Sequence, residues 1–288
     1  MSDPRVLVLG AGGMLGHQVW RALQTRTQAG ATVRAEALEG PLARVLDPAR
    51  TFLGVRAEDM TGVARAIDDS GAEVVVNCIG IVKQDAAASD PAALTYANAE
   101  FPHALAGLAR QRGVRVVHVS TDCVFSGSRG RYTEDDVPDP VDAYGRSKLA
   151  GELDGPGCVT LRTSIIGREL VGANGLLEWF LAQRGGVADG YRHAIFSGLT
   201  TPVCADVIAD VILGHRELAG VWHVSAEPID KLTLLTLVRD AMAPDIVLRP
   251  CDAPVIDRSL DSSRFRAATG WRAPSWSSMI DGLCKDRS

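Results

Sequence analysis

The sequence predicts an α/β protein built on a doubly wound parallel sheet, with a smaller C-terminal substrate lobe beside it. Three observations carry this. Short apolar runs alternate with helical patterns through the first half of the chain, a glycine-rich turn joins the first run to the first helix, and the alternation weakens after Gly167. Parallel strands buried on both faces read as continuous apolar runs. Strands that alternate with helices imply βαβ units. The right-handed crossover of such units gives a Rossmann-like arrangement.

Arg5–Leu9 is the first apolar run and ends in glycine. Residues 14–27 have helical spacing, with Leu15, Val19, Ala22 and Leu23 on one side. A second strand is expected within residues 31–37. Residues 61–70 read as a helix and 73–77 as a buried strand. Residues 96–112 form a helix whose stripe is Ala104, Leu105, Leu108 and Ala109. Residues 114–120 are β-branched, a helix starts near Tyr144, and 158–164 is a further strand. Later, 176–182 and 232–242 look helical and 221–224 looks like a strand. Pro and Asp cluster over 244–257, which reads as an irregular connection. The expected division is a dinucleotide-binding domain, residues 1–167 with return segments near 195–225, and a substrate lobe, residues 168–194 and 226–288.

The chain has 288 residues, 46% of them hydrophobic and 23% charged, enough for a substantial core in one large domain or two joined lobes. Its net charge of -5 is mixed along the chain, with no Lys/Arg run for nucleic acid or anionic lipid. A phosphate-bearing ligand must therefore be held by local geometry. Cys78, Cys123, Cys158, Cys204, Cys251 and Cys284 have no metal-like spacing and read as free thiols of a reducing compartment. The first apolar run is too short for a membrane span and has no signal-peptide layout, so a cytoplasmic protein is expected. No His or carboxylate cluster has ligand spacing, so no metal is expected.

Gly10, Gly13 and Gly16 recur every three residues between the first strand and the first helix. Gly10 permits a tight turn, Gly13 lets a pyrophosphate approach the backbone, and Gly16 lets the helix pack on the strand. The free N–H groups at the helix start favour the phosphate charge. Cofactor choice rests on the end of the second strand. A carboxylate there binds the ribose 2′-OH of NAD, and an arginine accommodates the 2′-phosphate of NADP. Arg34 and Glu36 are the two candidates. Arg34 and NADPH are favoured, and NADH is the alternative.

Tyr144 and Lys148 stand four apart on a predicted helix and share one face. A neutral phenol with a pKa of about 10 is a poor acid–base group near neutrality. An ammonium nearby stabilises the phenolate and lowers that value. Residues 116–122 read as a strand ending in hydroxyl residues, Ser120 and Thr121. Ligands sit at such carboxyl ends. There the Thr121 hydroxyl can bond a carbonyl oxygen. Glycine turn, strand-end hydroxyl and YxxxK in this order point to a dinucleotide-dependent redox enzyme.

These residues resemble the extended short-chain dehydrogenase/reductase superfamily and, within it, the dTDP-4-dehydrorhamnose reductase family. Ser120-Thr-Asp-Cys-Val-Phe-Ser-Gly127 is similar to its STDYVFDG signature. Tyr132-Thr-Glu-Asp135, Pro138, Pro140 and Tyr144-Gly-Arg-Ser-Lys148-Leu-Ala-Gly-Glu152 follow in its order, and Leu161-Arg-Thr-Ser-Ile-Ile-Gly167 resembles its next strand. The resemblance implies that Thr121, Tyr144 and Lys148 are catalytic. It implies that Gly10, Gly13, Met14, Leu15 and Gly16 border the cofactor phosphates. It also implies that Cys78, Ile79 and Gly80, after Asn77, line the cofactor. The implied reaction is NAD(P)H-dependent reduction of a nucleoside-diphosphate 4-keto-6-deoxy sugar at C4. Tyr144 would protonate the new alkoxide, and a homodimer through helices flanking the sheet is common among such enzymes.

The sequence departs from that family at several points. Cys123 replaces a frequent tyrosine among the substrate contacts. Arg56 stands near the place of an acidic residue that meets adenine, and Ala194-Ile-Phe-Ser-Gly-Leu-Thr-Thr-Pro202 replaces a DQxGxPT-like stretch. Arg258 is a candidate bidentate clamp for the diphosphate. Trp179 and Tyr191 are candidates to line the sugar pocket, with core packing the favoured expectation for each. A dehydratase is disfavoured because Cys123, not Glu, follows Asp122. An epimerase and a non-catalytic regulatory subunit of the same fold are the competing readings.

Overall fold

Continuous burial along the first strand shows why the sheet needs cover on both faces. The computed structural model describes residues 3–286. In β1 (Arg5–Leu9), Val6 and Val8 face one core cluster while Leu7 and Leu9 face another. Each such buried side chain contributes about 1.5–3 kcal/mol relative to exposure. After β1 come α1 (Gly16–Leu23), β2 (Gln28–Thr32), α2 (Gly40–Val45), β3 (Thr51–Phe52), α3 (Met60–Ser70) and β4 (Val74–Asn77). Next are α4 (Pro91–Thr95), a π-helical turn at Tyr96–Glu100 and α5 (Phe101–Gln111). They lead to β5 (Arg115–Thr121), α6 (Ala143–Ala150) and β6 (Cys158–Thr163).

The rest of the chain is shorter in its elements. It comprises β7 (Ile165–Ile166), α7 (Leu176–Leu181), β8 (Val187–Tyr191), β9 (Ala194–Phe196), β10 (Leu199–Thr200) and α8 (Thr201–Leu213). Then follow β11 (Gly220–His223), β12 (Ile229–Asp230), α9 (Lys231–Met242), β13 (Val247–Cys251), β14 (Ile256–Asp257), α10 (Ser263–Thr269) and α11 (Trp276–Lys285).

Seven strands make one parallel sheet in the order β11-β6-β5-β4-β1-β2-β3. The chain moves outward from β1 to β3 and then returns to place β4 on the other side of β1. In open sheets of this kind ligands bind at the carboxyl ends of the strands beside such a switch point. The glycine turn after β1, the loop after β4 and the end of β5 all open there. The later strands form two pairs, β10-β7 and β13-β8, and a three-stranded sheet, β12-β9-β14, except β11, which extends the main sheet beside β6. Helix α8 packs on α1, and α11 packs on α9 and α8. No helix among the described residues is long and apolar enough to cross a membrane.

Four expectations are corrected. The first helix spans Gly16–Leu23, because residues 10–15 are taken up by the glycine turn. The second strand is Gln28–Thr32 rather than lying within 31–37. Its Ala29, Gly30 and Ala31 carry no β-branched signal, and they pair there because β1 dictates the register from Arg5↔Gln28 onward. Residues 244–257 are not simply irregular: β13 pairs in parallel with β8, and β14 with β9. Most of β13 faces solvent, so it lacks a hydrophobic period, and Pro250 is tolerated on an edge strand. The helix expected over 96–112 begins earlier, at Pro91, capped by the Asp90 carboxylate.

Candidate active site

The first strand ends in a turn that only glycine can make. Gly10 has a φ of +77° and its backbone is closed by the Gly13 N–H, which donates to the Gly10 carbonyl at 3.0 Å. A Cβ on Gly16 would lie 2.1 Å from the Gly10 carbonyl oxygen, so α1 can begin against the turn only without one. Gly13 differs, since its Cβ would meet nothing in the protein closer than 3.4 Å. The N–H groups of Met14 and Leu15 find no acceptor among the described residues. Orphan donors beside a bare backbone at the head of α1 are what a dinucleotide pyrophosphate requires. The residues present therefore fit that group.

Arg34 is exposed just beyond β2, while the Glu36 carboxylate pairs with Arg56 at 3.5 Å. Cys78, Ile79 and Gly80 follow β4. The Ile79 N–H donates to Asn77 Oδ1 at 3.1 Å. Burial pushes the Cys78 thiol up, so it is a packed neutral group. A Cβ on Gly80 would lie 3.1 Å from Asn98 Oδ1 and 4.0 Å from Lys148 Nζ, which sets this loop directly against α6.

Helix α6 is pinned by its own sequence. Asp142 caps it by accepting from the Gly145 N–H at 2.7 Å, and binds Lys83 Nζ at 2.5 Å. Gly145 abuts the Cys123 carbonyl and Gly151 abuts the Asn98 carbonyl, at distances that admit no side chain. The helix thus lies closely on the end of β5 and on the π-helical turn. Lys148 is buried, and its Nζ donates to the Val119 carbonyl at 2.8 Å. Burial lowers its pKa to about 8, and the Glu152 carboxylate acts against that shift.

Tyr144 is half-buried, with Lys83 Nζ 5.6 Å from its ring centroid. Its phenol interacts with the Thr121 hydroxyl. Desolvation pushes the phenol above its ordinary value, with Cys123, Asp122 and Asp142 adding to the rise. The expectation that Lys148 lowers it is not met here: loss of water outweighs the other effects, and Lys148 is anchored on Val119. Thr121 is buried and accepts from the Cys123 N–H at 3.1 Å. Thr121, Tyr144 and Lys148 thus converge on the edge that carries the glycine turn.

Cys123 is half-buried, its thiol raised to about 11, first by burial and then by Asp122. Arg258 Nε donates to the Phe125 carbonyl at 2.8 Å, which leaves the other guanidinium edge to face elsewhere. Burial raises the Asp122 carboxyl, opposed by the charge of Arg258. Trp179 is 40% exposed, so it is not the core residue expected. No cluster of three metal-ligating side chains occurs among the described residues.

Sequence reasoning missed Asn98, which is fully buried in the π-helical turn. Its Oδ1 accepts from the Ile81 N–H at 2.9 Å, and its Nδ2 donates to the Ile81 carbonyl at 2.9 Å and to Ser147 Oγ at 3.1 Å. It therefore clamps the loop after β4 to α6. The one sequence signal was a polar residue inside an apolar helical stripe. Lys83 and Lys231 were also unmarked. Burial lowers the Lys231 pKa, while Asp122 holds it up.

A phenol and an ammonium one helical turn apart at the carboxyl edge of this sheet place the chain among the extended short-chain dehydrogenases/reductases. Residues 4–253 match the family model described as RmlD substrate binding domain, and the chain belongs to that family. It is 37% identical over 150 residues to dTDP-4-dehydrorhamnose reductase of Burkholderia thailandensis, covering 52% of this chain and 44% of that protein. It therefore spans less than half the length of that relative. A probable low-salt glycan biosynthesis reductase of Haloferax volcanii is 31% identical over 76% of this chain and 74% of its own. The crystal structure of dTDP-4-dehydrorhamnose reductase from Bacillus anthracis in complex with NADP superposes with a TM-score of 0.79 at 20% identity. It covers 98% of this chain and 99% of its own, and shows a shared fold.

Proposed function

We propose that this protein reduces the C4 keto group of a nucleoside-diphosphate 4-keto-6-deoxy sugar with NADPH, with NADH as a weaker substitute. The observation that carries the reading is the meeting of Thr121 and Tyr144 at the edge where Met14 and Leu15 present orphan N–H groups. Relatives named as reductases support it. Gly10, Gly13, Met14, Leu15 and Gly16 would hold the pyrophosphate, Arg34 the 2′-phosphate, and Cys78, Ile79 and Gly80 the nicotinamide side. When bound, the cofactor supplies a hydride to the carbonyl carbon.

The chain's own residues supply the proton and the orientation. Thr121 Oγ1 donates to the carbonyl oxygen and fixes its position. Tyr144 gives its proton to the oxygen as negative charge builds there. A phenol raised by burial is fully protonated near neutrality, so it starts in the form that a reduction consumes. Lys148, charged below about pH 8, stabilises the resulting phenolate and holds the nicotinamide ribose. Arg258 and the half-buried Cys123 contact the substrate.

The same reading takes residues 1–167, with the return near 195–225, as the cofactor domain. It takes 168–194 and 226–288 as the substrate lobe, and places a homodimer in the cytoplasm. The test incubates the protein with a panel of nucleoside-diphosphate 4-keto-6-deoxy sugars and follows NADPH absorbance. Stoichiometric consumption is expected. Substrate conversion without net consumption would mean epimerisation, and no conversion of any sugar would overturn the enzyme assignment.

A further inference from the structure

Behind Thr121 lies a buried ion pair that the reaction above does not use. Glu152 stands four residues beyond Lys148, past the end of α6, and Arg162 lies on β6. Their side chains are each 7% exposed. Arg162 Nε donates to Glu152 Oε1 at 2.8 Å and Nη2 to Oε2 at 2.7 Å, a bidentate fork. Ser120 Oγ donates to the same Oε1 at 2.6 Å. Ser120 is the residue before Thr121, so the carboxylate grips the end of β5 directly.

The fork continues away from the site. Arg162 Nη1 donates to His223 Nε2 at 3.2 Å, which leaves His223 Nδ1 to carry the proton and donate to the Tyr132 carbonyl at 3.0 Å. Burial, and then the charge of Arg162, holds His223 down to about 4, so it stays neutral in this role. The Tyr132 N–H donates to the Ser259 carbonyl at 2.9 Å, and the Asp261 N–H to the Tyr132 carbonyl at 2.7 Å. The Tyr132 ring stacks on Phe125 at 4.2 Å, and the Phe125 carbonyl holds Arg258. An unbroken chain of hydrogen bonds thus runs from the segment around Arg258 to the strand end that carries Thr121.

Burying two charges costs more than a well-packed apolar pair of the same volume, so stability alone is a poor reason for this arrangement. Orientation is a better one, since a misplacement of about 1 Å at a reacting centre can cost about a hundredfold in rate. We propose that Glu152 is a positioning residue. Held by Arg162, it fixes Ser120 and hence Thr121, and it ties their placement to the segment bearing Arg258. This rests on the reductase reading. The carboxylate has a second effect on Lys148. The titratable groups facing that ammonium are Glu152 beyond α6, Cys78 after β4 and His118 on β5. Of these Glu152 carries the negative charge that favours the ammonium.

The test compares wild type, Glu152→Gln and Ser120→Ala by steady-state kinetics across pH and by crystal structure. In Glu152→Gln, kcat is expected to fall about tenfold to a hundredfold with the KM for NADPH unchanged. Its alkaline limb is expected to move to lower pH, a shift that loss of fold would not produce. Ser120→Ala keeps the charge, so kcat is expected to fall while the limb stays in place. A folded Glu152→Gln protein with wild-type kcat and wild-type limb overturns the proposal. If Glu152→Gln does not fold, Ser120→Ala decides it: unchanged kcat overturns and a lowered kcat supports. If wild type itself consumes no NADPH with any sugar, the reductase reading fails. The positioning claim is then judged on whether Thr121 is displaced in the Ser120→Ala crystal structure.

Discussion

The Lys148 ammonium is anchored on the Val119 carbonyl, 2.8 Å away, on the same strand that two residues later presents Thr121. One strand therefore positions both the cation and the hydroxyl of the site. The anchor keeps the amine buried, and burial lowers its pKa to about 8. We predict that kcat/KM for reduction is level through neutrality and falls above about pH 8, as the ammonium loses its proton. The slope should approach one proton. A rate that rises through this range would show that the charged lysine is not required.

Tyr144 is the proposed proton donor. Tyr144→Phe should lower kcat by about 10²–10⁴-fold while cofactor binding survives, since the glycine turn is untouched. Fluorescence titration with NADPH and turnover assays separate the two effects. Unchanged turnover would remove the phenol from the mechanism.

Gly13 and Gly16 make opposite demands on a methyl group. The Gly16→Ala Cβ would collide with the Gly10 carbonyl oxygen, so we predict a loss of about 1–3 kcal/mol in stability. Gly13→Ala meets no clash within the protein. It should leave the melting temperature near wild type yet weaken cofactor binding. Thermal unfolding and cofactor titration of both variants check this, and equal losses of stability would contradict it.

Cofactor preference is expected to follow Arg34, because Glu36 is already engaged by Arg56. We predict that Arg34→Ala raises the KM for NADPH about tenfold or more, the loss expected when a charge-assisted bond worth about 1.5–3 kcal/mol disappears. The KM for NADH should hardly change. An equal effect on both cofactors would move the 2′-phosphate contact elsewhere.

The local sequence was enough for the parallel sheet, the glycine turn and the YxxxK face, because each depends on residues close in the chain. Continuous apolar runs fix strands buried on both sides, and a spacing of four fixes one face of α6. Local signals failed where partners distant in the chain decide. Gln28–Thr32 is a strand because β1 pairs with it, although its own side chains are small. β13 is a strand because β8 lies beside it. Asn98 and Glu152 gain their contacts only when α6, β5 and β6 are brought together, and no spacing in the chain encodes that.

The sequence alone determined the fold class, the glycine turn after β1 and the shared face of Tyr144 and Lys148, since these are written in periods of two to four residues. Tertiary structure alone decided how far Thr121, Tyr144 and Lys148 are withdrawn from water. Burial depends on what the rest of the chain packs around a group, and loss of water pushes the Tyr144 phenol above its ordinary value.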